Sequence, residues 1–320
     1  MSKEEVYRQI QLAYRAKFLQ LTKQFEKDYG KISDELNKQI QSIVDRHAKM
    51  DGTIGKLELE AINHEIDQVV DWFRTINAQW LDKNIVQSAN LAITSQDMAA
   101  QYYIKAIIAT KETAAAKLLT DALNSPKNPF SLSQQYGNGL SKAVRDQIWQ
   151  RRWPDGHTLS DRVWTIDKDL RQNLHGMVQQ CVNEGRSAVD FSKAVEQYLT
   201  QPGPKWTTAI QPAKTDRGSI KYNALRLART ETNQAYHKAQ SISQQNSAIV
   251  KGVKWNLSPS HPKEDICDTW ATQDLYGLGP GVYPPGKQPE DHPNGLCFLT
   301  DVLYEGDELI EQLTKKYQVA

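Results

Sequence analysis

Two short segments near the C-terminus bring metal-type ligands to close spacing. His261 is separated from Cys267 by five residues and His292 from Cys297 by four, both within a stretch rich in Pro and Gly. Two imidazoles and two thiolates make a tetrahedral donor set for Zn²⁺, and a loop region too poor in apolar residues to build a core gains from being stapled. The spacings are looser than those of compact zinc knuckles. Four readings stay open for His261, Cys267, His292 and Cys297. They are a structural zinc, a catalytic metal, a Cys267–Cys297 disulfide formed late in an oxidising exterior, and ordinary loop residues whose following prolines fix turns.

A second constellation lies upstream, in Arg226, Arg229 and Glu231. The two arginines are three residues apart and share a helical face, while Glu231 points roughly 200° away from Arg229. Such a pair of arginines can hold a phosphate or another anion, or the charges can tie the helix to adjoining loops. Trp149, Trp153 and Trp164 near Arg151 and Arg152 interleave aromatic and basic character, which suits nucleic-acid stacking and equally suits core packing. His157, His175 and His237 stand singly and read as surface or packed residues. The chain has no P-loop, Gly-x-Gly-x-x-Gly, His-Glu-x-x-His or Gly-x-Ser-x-Gly, which removes several common enzyme classes. No acid, base and nucleophile set can be assembled from spacing, so the expectation is a protein that is not an enzyme.

These segments must be positioned by a mainly helical chain. From Phe18 the apolar residues Leu21, Phe25, Tyr29, Ile32, Leu36, Ile40 and Ile43 follow at steps of three and four. The average of about 3.67 residues per turn predicts one long amphipathic helix over roughly residues 3–48. Its stripe packs either on the chain's own next helices or against another subunit. Asp51-Gly52 marks a turn. Further helices are expected from Leu57 to about Leu81 and from Met98 to Leu123, the latter with Ser95 as N-cap. Pro126 and Pro129 end that run. Residues 139–200 read as helices, with Ser141 and Ser160 as caps and Gly185 between two of them. A Pro/Gly-rich loop over 201–212, a helix from Tyr222 to about Gln245, a strand over 248–255 and a final helix over 301–317 complete the reading.

The fold class is therefore mainly α with a small α+β C-terminal module, in which long N-terminal helices precede a loop-rich domain for which a zinc staple is one of the open readings. The expected divisions are 1–126, an N-terminal helical docking region; 127–202, a second helical part; and 203–320, the α+β module. Across 320 residues, 39 basic side chains balance 38 acidic ones, so overall charge gives no drive toward non-specific nucleic-acid binding. Three cysteines, an odd number, and a charged N-terminus without an apolar segment point to a reducing cytoplasm and to no membrane.

Several segments, in order, resemble one family. Trp153-Pro-Asp-Gly156-His-Thr-Leu159-Ser-Asp-Arg162-Val-Trp164 is similar to its opening motif, Gly followed by Leu-Ser-x-Arg-Ile-Trp, and Glu184-Gly-Arg-Ser187 to its next helical hairpin. Ala224-Leu-Arg226-Leu-Ala-Arg229-Thr230-Glu231-Thr-Asn233-Gln-Ala235 resembles its Ala-Arg-Thr-Glu helix, and the block at His292-Pro-Asn closes the pattern. The family is that of the phage head-morphogenesis, or Mu F-like, minor head proteins of tailed bacteriophages, and the resemblance covers roughly residues 140–300. The family usually carries Cys-x-x-Cys where this chain has Cys267-Asp-Thr-Trp270, and His-Pro-Asn-Cys-Arg-Cys where it has His292-Pro-Asn-Gly295-Leu-Cys297. The resemblance implies a minor capsid protein of the virion, assembled in the bacterial cytoplasm and acting in head assembly, DNA packaging or delivery. It implies as partners the portal protein, the major capsid or scaffolding protein, and packaged double-stranded DNA. The competing class is a metal-dependent nuclease, or an enzyme of the ADP-ribosyltransferase kind, carried in a phage head.

Overall fold

The structure, a computed structural model, describes residues 1–110, 114–200, 220–259, 261, 264–293 and 295–317. The loop expected over 201–212 lies outside these residues. The described chain is mostly helical, with long N-terminal helices and one small antiparallel sheet near the C-terminus. Its helices are α1 (Lys3–His47), α2 (Leu59–Thr110), α3 (Ala114–Asn124), α4 (Leu132–Tyr136), α5 (Gly139–Gln150), α6 (Leu159–Glu184), α7 (Ala188–Thr200), α8 (Ile220–Asn246), α9 (Ile266–Thr272) and α10 (Gly306–Tyr317). The strands are β1 (Val250–Asn256), β2 (Val282–Tyr283) and β3 (Phe298–Leu303). No described helix is long and apolar enough to cross a membrane.

Helix α1 begins with Glu4 and Glu5 and ends with Arg46 and His47, charges that complement the helix dipole at both ends. Helix α2 runs unbroken for 52 residues, where two separate helices were expected. Residues 59–110 contain neither Pro nor Gly, and Ser95 is wholly buried inside the helix instead of capping a new one. A short polar residue does not end a helix whose neighbours keep burying apolar side chains.

Two compact units divide the chain. The first combines Met1–Thr22, Asn84–Ile148 and Arg229–Ala320, and the second combines Lys23–Lys83 and Trp149–Ala228. Among the described residues, the regular elements of the second unit are helices. Its α1 residues Tyr29, Leu36 and Ile40 are fully buried, with Ile62, Ile66 and Val70 of α2, and the Tyr29 ring lies 4.9 Å from that of Trp80 and 6.5 Å from that of Phe73. The α1 stripe is thus largely consumed within the chain, Leu21 and Ile32 being the half-buried members. Helix α6 is started by a capping box between Thr158 and Asp161, and Gly185 closes it at φ 64° with its N–H on the Cys181 carbonyl. This αL position suits glycine. The expected caps Ser141 and Ser160 instead sit inside α5 and α6. Arg151 and Arg162 stack on Trp153 at 4.3 and 4.7 Å, and Arg162 also pairs with Asp155 at 2.7 Å.

In the first unit the sheet order is β2-β1-β3, antiparallel throughout. Asp301, expected in the last helix, pairs with Val253 in the ladder, and α10 starts five residues later. The sheet packs on the start of α1 and the end of α2, with Tyr7, Tyr103, Ile104, Val253, Trp255 and Leu299 in one core. Burial pushes the Asp301 carboxyl above the usual range, and it is satisfied by Tyr7 Oη at 2.6 Å and Gln244 Nε2 at 2.7 Å. Tyr7 is itself buried. Tyr7→Phe removes the shorter donor and is expected to cost about 1–3 kcal/mol, measured by urea unfolding.

Candidate functional site

Helix α8 supplies the frame. Residues 230–237 are all buried although most are polar, and a buried polar group must find a partner. Three of them, Asn233, Gln234 and His237, find partners on the loop that precedes β3. Asn233 Nδ2 donates to Asp291 Oδ2 at 2.8 Å, and Gln234 Nε2 donates to the Asp291 carbonyl at 2.6 Å. His237 Nε2 bonds the Cys297 carbonyl at 3.1 Å. Burial, with help from the Arg15 charge, lowers His237 to about 3, so the ring is neutral and Nε2 carries the donated proton. Arg15, from α1, donates to Asn233 Oδ1 at 3.0 Å and to the Leu296 carbonyl at 2.7 Å. Four backbone or side-chain groups of one loop are thereby pinned by two helices.

The opposite wall comes from α9. Its N-cap is Asp265, whose Oδ1 accepts from the Cys267 N–H at 2.7 Å, while Asp268 Oδ2 accepts from the Asp265 N–H at 2.8 Å. This reciprocal cap sets Cys267 facing inward. Cys267 and Cys297 are buried, free thiols. The Cys267 Sγ donates to Asp291 Oδ1 at 3.7 Å, and one donor atom from each of Cys267, Asp291 and Cys297 lies within 4.8 Å of the others. Burial raises both thiols and the Asp291 carboxyl above their ordinary values, the charges of His292 and Arg15 opposing the rise at Asp291. Neither thiol is therefore a ready thiolate nucleophile by itself.

Asp265, Cys267 and His292 form a second group of the same closeness, and His261, Asp265 and Asp268 a third. His292 Nε2 stands 3.2 Å from Asp265 Oδ2 and 4.0 Å from Asp291 Oδ1. Its Nδ1–H donates to the Pro293 carbonyl at 3.1 Å. Of the four residues singled out in the sequence, Cys267 belongs to both of the first two groups, with Cys297 and Asp291 in one and His292 and Asp265 in the other. His261 turns elsewhere, its Nε2 sitting 2.9 Å from Asp268 Oδ2 and 3.7 Å from Asp265 Oδ1. The hydrogen bond to Asp268 raises its pKa. The donor types fit Zn²⁺, which takes thiolate, imidazole and carboxylate ligands together.

The Arg226, Arg229 and Glu231 set lies on α8, as its spacing predicts. Arg226 is exposed, Arg229 half-buried and Glu231 wholly buried. Sequence reading passed over Asp265, Asp268 and Asp291 because carboxylates are common. The Asp-x-x-Asp spacing ahead of a short apolar run was the available signal for the first two. It passed over Asn233 and Gln234 because their partner lies some 60 residues away, and it read His237 as a surface or packed residue, which the structure shows packed.

Compared with known proteins, the chain matches no family model, no curated protein and no solved structure.

Proposed function

We propose that this chain is a minor head protein of a tailed phage, and that it acts by binding rather than by turnover. The reading rests on the ordered motifs from Leu159 to Cys297. One observation carries it further. The Arg-Thr-Glu-Thr-Asn-Gln segment and the Asp-His-Pro-Asn-Gly-Leu-Cys segment, two pieces of the resemblance, are direct partners through Asn233, Gln234 and Asp291. Motifs that lie about 60 residues apart in sequence serve one structural unit, which is what a shared ancestry of that unit requires. The helical part would contact the portal and the capsid or scaffolding protein, and the C-terminal unit would be a compact interaction module. With positive and negative charges balanced, any contact with DNA is weak and falls steeply with salt.

Fractionation of the phage that encodes the chain tests this. The protein is expected at low copy number in heads, co-isolating with portal oligomers and missing from purified tails. Its absence from heads would overturn the reading. So would divalent-metal-dependent cleavage of DNA or protein that disappears in His292→Ala, which would favour the enzyme class instead.

A further inference from the structure

We propose that Cys267, Asp291, His292 and Cys297 form a structural binding site for one zinc ion, with His261 outside the coordination sphere. This assignment stands on geometry alone and is independent of the phage reading. It differs from the sequence-derived quartet in one ligand, Asp291 for His261.

Three observations converge. The first is the placement of His292. Its Nδ1–H donates to Pro293 O, so Nε2 is the ring nitrogen turned toward the cluster. That nitrogen is enclosed and makes no hydrogen bond, yet it faces two carboxylates across 3.2 and 4.0 Å. A backbone carbonyl on the far ring nitrogen is the usual outer partner of a metal-bound imidazole.

The second is the seat of Asp291. A Cβ on Gly295 would stand 2.2–2.4 Å from all three carboxylate atoms of Asp291, so glycine alone leaves room for that carboxylate beside the thiols. One of its oxygens takes the amide of Asn233, and the other is directed at Cys267 Sγ. The carboxylate is oriented from outside and presents Oδ1 to the cluster.

The third is the division of labour among the remaining groups. Asp265 Oδ1 is used by the Cys267 N–H in the helix cap, and His261 Nε2 is held by Asp268. His261 is therefore a positioning residue for the α9 wall, while Asp265 Oδ2 stands beside the imidazole, 3.2 Å from His292 Nε2. Two thiolates and one carboxylate would place three negative charges on a dication with one neutral imidazole, a mixed sulfur, nitrogen and oxygen shell that zinc accepts. Bound there, the ion would join α9 to the loop before β3, across a segment with few apolar residues.

Full-length protein purified without chelator is expected to carry about one zinc per chain by elemental analysis. Replacement by Co²⁺ should give the intense visible bands of a tetrahedral site with thiolate charge transfer, lost in Cys297→Ser. In zinc titrations of the apoprotein against a chelating dye, His292→Ala should weaken affinity by more than about a hundredfold, beyond the cost typical of losing an outer partner. Asp291→Asn should weaken it comparably, and His261→Ala by less than about tenfold. Buried Cys267 and Cys297 variants can lose their fold. His292 lies at the margin of the site, so His292→Ala with unchanged circular dichroism is the deciding variant. Zinc loss in His261→Ala with retention in Asp291→Asn would overturn this ligand set in favour of the sequence-derived one. Failure of the folded wild-type protein to bind zinc or cobalt would overturn the site altogether, whatever the outcome of head fractionation.

Discussion

Leu36→Asp is expected to unfold the helical unit that contains it. Leu36 is completely buried on the α1 stripe, in a unit whose core includes Tyr29, Ile40, Ile62 and Ile66. The substitution removes a leucine's apolar burial, about 2–5 kcal/mol for loss of a comparable side chain, and adds an unpaired carboxylate in an apolar setting, at several more. The sum is on the order of a whole domain's stability, about 5–15 kcal/mol. Leu57→Asp, at a position 96% exposed, should stay within about 0.5 kcal/mol of the parent. Circular dichroism during urea unfolding checks both. A Leu36→Asp protein with parental helicity and midpoint would mean that the stripe is free to face another subunit, and the internal packing described above would be wrong.

That stripe also shows what the sequence made legible. The steps of three and four from Phe18 to Ile43 specify a helix because a helical face repeats at that interval, and α1 ends within a residue of the expected position. The same logic failed at Ser95 and at Asp301. A capping residue type says where a helix can begin, but tertiary burial decides whether it does. Asp301 follows a polar loop and precedes a helical pattern, yet its backbone pairs with β1, a non-local choice that local periodicity does not encode. In the site, cysteine and histidine stood out because they are rare, three and seven in the chain, and spacing was enough to group Cys267, His292 and Cys297. It could not separate His261 from Asp291 as the fourth candidate. That distinction depends on the small space beside Gly295 and on the reach of Asn233 from α8. Polar residues on α8 make it read as a solvated helix, whereas its long-range partners make it the scaffold of the cluster.

Arg15 is the residue on which that scaffold leans most heavily, and Arg15→Met is expected to destabilise the first unit by about 3–5 kcal/mol. The guanidinium is almost wholly buried. It rests 4.7 Å from the Phe18 ring, with Phe298 and Tyr236 at 5.8 and 5.9 Å, and its two terminal nitrogens serve Asn233 and Leu296. Burial lowers its pKa to about 10, so at neutral pH it remains charged, and its charge also favours an ionised Asp291. Methionine replaces much of the apolar stem, so the measured loss reports chiefly the two unpaired acceptors and the missing charge. Arg15→Lys should recover less than half of it, since a single ammonium cannot reproduce the fork that reaches both acceptors. Amide hydrogen exchange should localise the damage. Protection should fall at Asn233, His292, Gly295 and Cys297, while the β1–β3 ladder keeps its relative order. Equal stability of the methionine variant and the parent would show that Phe18, Tyr236 and Phe298 alone hold the loop, and that Arg15 is carried there without contributing.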